Sequence, residues 1–531
     1  MDTTNWQQLF KFAVRRDRWR LIAWIAGLTA LGTLFVPVFP SLVGDDAEMS
    51  ILGEMMENPA MVAMCGARYG GEYTLAIMYT QMMLVWVALA VAIFNVLLVI
   101  RHTRADEEAG RLEVLGSLPV GRSANLLSVT LLAVAANVVI GLLTGFGQAA
   151  FNVATVDLPG SLTIGAALAA CGLAFAGLAL VIVQVTETSR SATGSAMTLV
   201  GLAYLVRAGG DVSAPAAALA SPLGLIEKTE PFYANELWPV ALLLGVFLVL
   251  AAVAFALNRI RDLGLGMIPQ RAGHAHAPKS LTGEWGLSWR LLRGTIIGWA
   301  VAVFTIAAAY GSIMGDMQAF AESSDLYQQV LGVDPSDPNL AAPVTATLLL
   351  IMAIIGAIPV IIAVDKLAAE EKKSRLDPIL GTAASRGRLF LGHALIAGIT
   401  AVAMMALSGL GFGLVAQSVM DNPIPMATVM KAAANFTPAL FFTAGLGLFL
   451  VGVAKKLTSL NWLYLVASFF MVYLGGILSM PRAAVRATPF GLVQRWPLEE
   501  FWLWPDLVLT VLAVALTALG LMAYRKRDIT A

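Results

Sequence analysis

Charged residues with helical spacing lie in the loop 101–122 of this sequence. Glu107 and Arg111 are four residues apart there, so we expect them to pair on one face of a short helix. Leu112 and Leu115 would give the same helix a narrow apolar strip. A surface helix with fixed charges beside a small apolar face can bind in a cleft of a soluble partner. The alternative interpretation is a solvated loop without a partner.

The same pattern recurs 264 residues later, in the loop 365–388. Glu371 and Arg375 repeat the expected ion pair, and Leu376 and Ile379 repeat the apolar strip. A loop that only faces solvent has no reason to keep this pattern twice, so the recurrence favours docking. The candidate docking residues are Glu107, Glu108, Arg111, Glu113, Arg122, Glu371, Arg375, Asp377 and Arg386.

No other pattern in the sequence indicates catalysis. A phosphate-binding loop ends in Gly-Lys-Ser/Thr, and no lysine of this chain follows a glycine. The four histidines are scattered without the spacing of metal ligands, and Cys65 and Cys171 have no evident reason to pair. We therefore expect no cofactor or metal on this chain and no enzymatic activity of its own.

The composition places the two loops in a membrane protein. Apolar residues make up 58% of the 531 residues and charged residues 13%, whereas a soluble domain has about 45–50% and about 25%. This excludes a soluble multidomain enzyme. Lys plus Arg and Asp plus Glu both number 34, which excludes a nucleic-acid-binding protein that relies on net positive charge. The expected fold is therefore an all-α polytopic membrane protein.

Twelve apolar stretches are candidate spans of a lipid bilayer. They are continuous and lack the alternation of barrel strands, so we predict helices. The stretches are 21–43, 75–100, 125–150, 162–185, 194–210, 237–258, 295–315, 343–364, 389–417, 432–454, 457–479 and 505–524.

The positive charges predict the orientation of these spans. With the N-terminus inside, 27 of the 34 Lys and Arg residues fall in inner segments, as the positive-inside rule requires. Both termini are then cytoplasmic. Residues 6–20 read as an amphipathic helix at the membrane interface.

Motifs recur in order along the chain and indicate a duplication. Gly209-Gly210 recurs as Gly475-Gly476, and Ser221-Pro222-Leu223-Gly224 recurs as Thr488-Pro489-Phe490-Gly491. We predict a first six-helix half at 1–265, a cytoplasmic linker at 266–284 and a second half at 285–531. Halves that start on the same side are parallel repeats, which enclose a central pathway and favour transport over a purely structural bundle. The segments 211–236 and 481–504 are expected to form short helices at the outer ends.

The energy source is expected to lie outside this chain. A proton-driven antiporter needs an ionisable residue within the membrane, and the predicted spans place none clearly there. Their polar residues are more typical of hydrogen bonds between helices: Asn95, Asn137, Gln148, Gln184 and His393. A proton-coupled twelve-helix secondary drug antiporter and a non-transporting scaffold remain the alternatives.

The sequence resembles the fused, two-half permeases of the ABC-2 type, which export polyketide antibiotics and other drugs. The resemblance extends over nearly the whole chain and depends on the order of several short motifs. These are Glu107–Glu113, Pro119–Arg122, Arg207–Asp211, Ser221–Gly224 and Arg261–Gly264.

This resemblance implies two parallel six-helix repeats of the ABC-2 type in a bacterial cytoplasmic membrane. The loop after the second span of each half would be a coupling helix, seated on one of two copies of a separate nucleotide-binding ATPase that binds ATP and Mg. The substrate would be a small amphiphilic drug or antibiotic, and no nucleic acid would take part. The second copy departs from the pattern at Lys372-Lys373-Ser374 and Ala383-Ala384-Ser385, so equal coupling by the two halves is not implied.

Overall fold

The computed structural model describes residues 2–41, 49, 52–53, 56–57, 59–262, 264–268, 276, 281, 283–316, 341–372, 375–381, 384–420, 423–454, 457–473, 481–499 and 501–527. The regular elements of these residues are helices, without a strand, so the all-α prediction is confirmed. Lys373, Ser374, Ala383 and the Gly475-Gly476 repeat lie outside the described residues. Contacts divide the chain into two compact units, Met1–Ala272 and Gly273–Ala531.

The first unit contains six long helices and several short ones. They are α1 (Trp6–Thr33), α2 (Pro59–Cys65), α3 (Leu75–His102), α4 (Arg104–Glu108), α5 (Arg111–Gly116), α6 (Ala124–Ala149), α7 (Leu158–Val185), α8 (Ser189–Ser213), α9 (Pro215–Ala218), α10 (Pro222–Glu227) and α11 (Trp238–Ile260).

Helix α7 is the centre of the first unit and packs against α3, α6 and α11, while α1 packs against α6. Its N-terminus is capped by Asp157, whose carboxylate accepts the N–H of Gly160 at 2.8 Å. Gly141 of α6 and Gly165 of α7 bring two helix backbones together, since a Cβ on either would collide with the carbonyl of the other. Small residues at such crossings are typical of membrane helices, which gain little from burying apolar side chains away from lipid.

The second unit is built in the same order. Its helices are α12 (Glu284–Ser312), α13 (Ala341–Lys372), α14 (Asp377–Leu380), α15 (Arg386–Val419), α16 (Met426–Asn435), α17 (Thr437–Val453), α18 (Ser459–Tyr473), α19 (Arg482–Arg486), α20 (Pro489–Leu492) and α21 (Leu503–Lys526).

The helix pairs of the second unit correspond to those of the first. Helix α12 packs against α15, α17 against α21, and α13 against α17. In both units, therefore, the first long helix contacts the third, the fourth contacts the sixth, and the second contacts the fourth. The second unit also has a close glycine crossing, but between its fourth and sixth long helices, because a Cβ on Gly452 of α17 would collide with the carbonyl of Gly520 in α21.

Within the described residues, nine helices are long and apolar enough to cross a membrane, so the chain is a multi-pass membrane protein. The other three predicted spans fall on α1, α8 and α18. Helix α1 carries the arginines of the amphipathic stretch, α8 contains Arg207 and Asp211, and α18 is 15 residues long where the described segment ends. That the chain spans the membrane twelve times therefore remains a prediction.

Short helices lie in both segments 211–236 and 481–504, as the sequence predicts. Ser221 caps α10 by accepting the N–H of Leu223 at 3.2 Å. Thr488 caps α20 by accepting the N–H of Gly491 at 3.0 Å. The two turns thus begin their helices with the same hydroxyl cap.

Candidate docking site

Glu107 links the loop after α3 to the end of α11. Its side chain is 9% exposed and lies 3.0 Å from Arg104 Nη1 and 3.2 Å from Arg261 Nη1. It also accepts the backbone N–H of Gly264 at 2.6 Å. A carboxylate with two guanidinium partners and one backbone donor is well satisfied although it is buried.

The expected pair of Glu107 with Arg111 is wrong. The single helix predicted there is interrupted, because α4 ends at Glu108 and α5 begins at Arg111. Gly110 between them has φ +70°, a left-handed conformation that glycine adopts readily. The break rotates Arg111 away from Glu107, and Arg111 binds Asp106 Oδ1 at 2.5 Å instead.

Glu371 in the second unit occupies the position that Glu107 has in the first. Its side chain is 1% exposed and lies 2.6 Å from Arg527 Nη2, just beyond the end of α21. The expected pair with Arg375 is wrong here as well, since Arg375 lies 3.6 Å from Glu370. Helix α13 ends at Lys372, and the N–H of Arg375 donates to the carbonyl of Glu370 at 3.1 Å.

Arg122 and Arg386 complete the arrangement in the two units. Arg122 Nη2 donates to the carbonyl of Arg261 at 2.6 Å. Arg386 Nη1 donates to the carbonyl of Arg527 at 3.1 Å. A cation at these carbonyls satisfies acceptors that the helix end leaves open. In each unit, the arginine that follows the last long helix therefore contacts both a loop glutamate and a second arginine.

The remaining predicted residues differ in their exposure. Glu108 accepts the N–H of Ser189 at 2.7 Å and so joins the loop to the N-terminus of α8. Glu113 and Asp377 are exposed. The side chains of Arg111 and Arg375 are 59% and 60% exposed, so both guanidinium groups are accessible to a partner protein.

The apolar surface of the loop differs from the expected strip. Leu376 is only 3% exposed and packs into the second unit, so it offers no surface to a partner. In the first unit, Val114 and Leu118 are 70% and 54% exposed. The same loop contributes to a cavity of about 540 Å³, whose lining includes Glu107, Arg122, Arg261, Asp262 and Leu112. A protruding partner side chain could therefore contact the buried ion pair directly.

A charged cluster fixes helix α1 to this loop in the first unit. Arg101 donates two hydrogen bonds to Asp17, at 2.6 and 2.7 Å, and these hold the pKa of Asp17 below its ordinary value. Arg16 lies 2.8 Å from Asp106, which also binds Arg111. The amphipathic stretch is thus part of the site. A lone aspartate among arginines was the only signal of this in the sequence.

The second unit lacks this cluster at the corresponding positions. Leu291 and Leu292 stand 275 residues after Arg16 and Asp17, which is the offset that relates the two amphipathic stretches. Ser385 at the start of α15 instead donates its N–H to Glu284 at 3.0 Å. The contact of the first helix with this loop therefore differs between the two units.

A second buried ionic group lies in the first unit, at residues for which no sequence pattern predicted a role. Arg207 is 0% exposed and lies 3.3 Å from both Asp211 and Glu227. Its guanidinium also donates to the carbonyl of Ala63 at 2.8 Å, near the C-terminus of α2. Burial, with the charge of Asp211 second, raises the pKa of Glu227 well above its ordinary value. Among the described residues, no cluster of His, Cys, Asp and Glu could hold a metal ion.

Comparisons with known proteins agree with a membrane permease. A family model described as the C-terminal domain of the multidrug efflux system permease Rv1217c matches two stretches of the chain, residues 7–259 and 281–525. The multidrug efflux system permease protein Rv1217c of Mycobacterium tuberculosis (strain ATCC 25618 / H37Rv) is 31% identical over 529 residues. That alignment covers 98% of this chain and 94% of the relative. The chain therefore belongs to the Rv1217c family of multidrug efflux system permeases.

Proposed function

We propose that the chain is the transmembrane subunit of an ATP-driven exporter of the ABC-2 type. The ion pairs Glu107–Arg261 and Glu371–Arg527 carry this proposal, because each joins a loop to the end of the last helix of its unit. A push on the loop would therefore be transmitted to that helix. No lysine of the sequence follows a glycine, so the chain has no Gly-Lys-Ser/Thr motif, and the energy source of this proposal is a separate ATPase.

The proposed architecture is twelve spans in two parallel halves, 1–265 and 285–531, with 266–284 as the linker. The match of one family model to a stretch in each half supports the duplication. The equivalent helix pairs of the two units support it independently. Both termini and both loops face the cytoplasm, in agreement with the distribution of Lys and Arg, and the membrane is the bacterial cytoplasmic membrane.

The mechanism is alternating access. Two copies of the ATPase bind ATP and Mg and dock on the loops through Arg111 and Arg375, which are both more than half exposed. Closure of the ATPase pair pushes the loops, and the buried ion pairs move the last helices, which closes the inner mouth of the pathway. The cargo is a small amphiphilic drug or antibiotic. A drug as cargo is supported by the name of the relative, a multidrug efflux system permease.

Purification with a candidate ATPase tests this function. The chain and a soluble ATPase should form a complex of two ATPase copies per permease, and amphiphilic drugs should raise its rate of ATP hydrolysis. An ATPase that fails to bind, or whose rate is the same with and without the permease and drug, would contradict that pairing. Drug export from cells that lack every such ATPase would contradict the proposed energy source.

A further inference from the structure

A groove separate from the 540 Å³ cavity lies between α1, the end of α3 and the start of α8. It encloses a cavity of about 240 Å³. Arg20, Arg101 and Thr193 lie at its polar end. Trp24 and Phe94 lie at its apolar end, where their ring centroids are 5.6 Å apart. The groove therefore changes from charged to aromatic along its length.

The polar end carries net positive charge. Arg20 is exposed and makes no ion pair within the part of the chain that the structure describes. Arg101 uses Nε and Nη2 for Asp17 but keeps Nη1, and its side chain is 42% exposed. Asp17, the one carboxylate of the described lining, is thus neutralised by Arg101. An anion bound here would meet one uncompensated arginine and a free N–H of a second.

Because one end of the groove is aromatic and the other is charged, it favours a ligand that has both an apolar and a charged part. Sites for drug-sized molecules usually have volumes of about 300–1,000 Å³, so this groove is suited to one headgroup with the start of a chain. The rest of the ligand must continue outside the groove. Leu21 and Leu97 also line the groove and add apolar surface beside Trp24. A soluble anion would leave the aromatic end and this surface unused.

We propose that the groove binds an anionic phospholipid, with its phosphate between Arg20 and Arg101 and its acyl chains along Trp24 and Leu97. Interfacial arginines and aromatic residues are the groups that hold a phosphate and the adjoining glycerol region in membrane proteins. This inference goes beyond the proposed export function and does not require the ATPase.

Native mass spectrometry of the full-length chain in detergent tests the proposal. Phosphatidylglycerol and phosphatidylcholine are added in equal amounts, and retained lipid is counted per chain. We expect retention of one phosphatidylglycerol and little phosphatidylcholine. Arg20→Gln should weaken phosphatidylglycerol retention about five-fold, as expected for one arginine near a lipid phosphate. Thr193→Phe fills the groove without changing its charge and should also reduce retention.

Arg18→Gln is the matched control, because Arg18 stacks on Trp19 at 5.4 Å and does not line the groove. An equal loss of lipid in Arg18→Gln and Arg20→Gln would overturn the proposal in favour of general surface charge. Equal retention of the two lipids would overturn the phosphate site. Displacement of the lipid one for one by an anionic amphiphilic drug, with no lipid retained in the native membrane extract, would make the groove a drug site and would also overturn it.

Discussion

Glu371 and Arg527 form an ion pair of 2.6 Å although 156 residues separate them. Glu107 and Arg261 form the corresponding pair of the first unit at 3.2 Å. All four belong to loops or helix ends, yet Glu107, Arg261 and Glu371 are less than 10% exposed. Because an unpaired buried charge is costly, each loop and its last helix are expected to move together.

Removing the charge of these glutamates should make ATP hydrolysis by the complex insensitive to the drug. Glu107→Gln and Glu371→Gln keep the side-chain size but leave Arg261 or Arg527 without its buried partner. Loss of one partner of a buried pair costs about 3–5 kcal/mol. We expect at least a ten-fold loss of drug-stimulated ATP hydrolysis in the complex. Glu236→Gln, at an exposed carboxylate in an outer segment, is the control. Unchanged stimulation in the double variant would show that the pairs do not transmit the push.

Reversing the exposed charges of the loops should prevent docking. The double variant Arg111→Glu with Arg375→Glu places like charges beside Asp106 and Glu370 and removes both accessible guanidinium groups. ATP-dependent transport should be abolished, while membrane insertion, measured by the yield of folded protein, is unchanged. Lys11→Glu, an exposed reversal on α1, tests whether any lost positive charge has this effect. Full transport by the double variant contradicts the docking assignment.

A pair of buried amides should stabilise the first unit. Asn95 Nδ2 donates to Asn137 Oδ1 at 3.0 Å, and Asn137 Nδ2 donates to Asn95 Oδ1 at 2.7 Å. A double-mutant cycle with Asn95→Ala and Asn137→Ala should give a coupling of about 0.6–1.7 kcal/mol, the range found for hydrogen bonds between membrane helices. Unfolding in mixed detergent micelles measures it. Strictly additive effects would mean that the two amides do not stabilise each other.

Glu227 should make stability fall as the pH rises. Its pKa lies well above the ordinary value of 4.5 because of burial and the nearby charge of Asp211. The folded chain therefore keeps a proton that the unfolded chain releases above about pH 4.5. The stabilisation is complete below that pH and is lost as the pH rises through the raised pKa. Glu227→Gln should flatten the dependence of Tm on pH.

The control for this experiment is again Glu236→Gln, which should keep the slope of the wild-type chain. Identical slopes in wild type and Glu227→Gln would contradict the raised pKa. The same variant also addresses the antiporter alternative. ATP-driven drug transport should persist in Glu227→Gln, whereas a proton-coupled carrier that used this buried carboxylate would lose transport.

The all-helical membrane architecture could be predicted from the sequence, because long apolar stretches indicate helices that cross a lipid bilayer. The recurrence of Glu107 and Glu371 with their arginines marked two loops as candidates, and their docking role stays a prediction. The pairing could not be predicted, because i and i+4 spacing creates a contact only if the helix continues. Gly110 interrupts it, and the true partner Arg261 is 154 residues away.

The contacts that helix α1 makes with the loop could not be predicted from the sequence either. Asp17 and Arg101 are separated by 84 residues, and only the packing of α1 against α3 brings them together. The resemblance did mark Arg261 and Arg122 as parts of motifs. It did not indicate that the guanidinium of Arg122 would bind the carbonyl of Arg261.

Reconstitution in sealed vesicles tests the central claim most directly. The purified chain is inserted with and without its ATPase, and uphill accumulation of an amphiphilic drug is measured with ATP or with a pH difference alone. The account predicts accumulation only when both ATPase and ATP are present, and none from a pH difference. Uphill accumulation by the chain alone, driven by a pH difference, would contradict it.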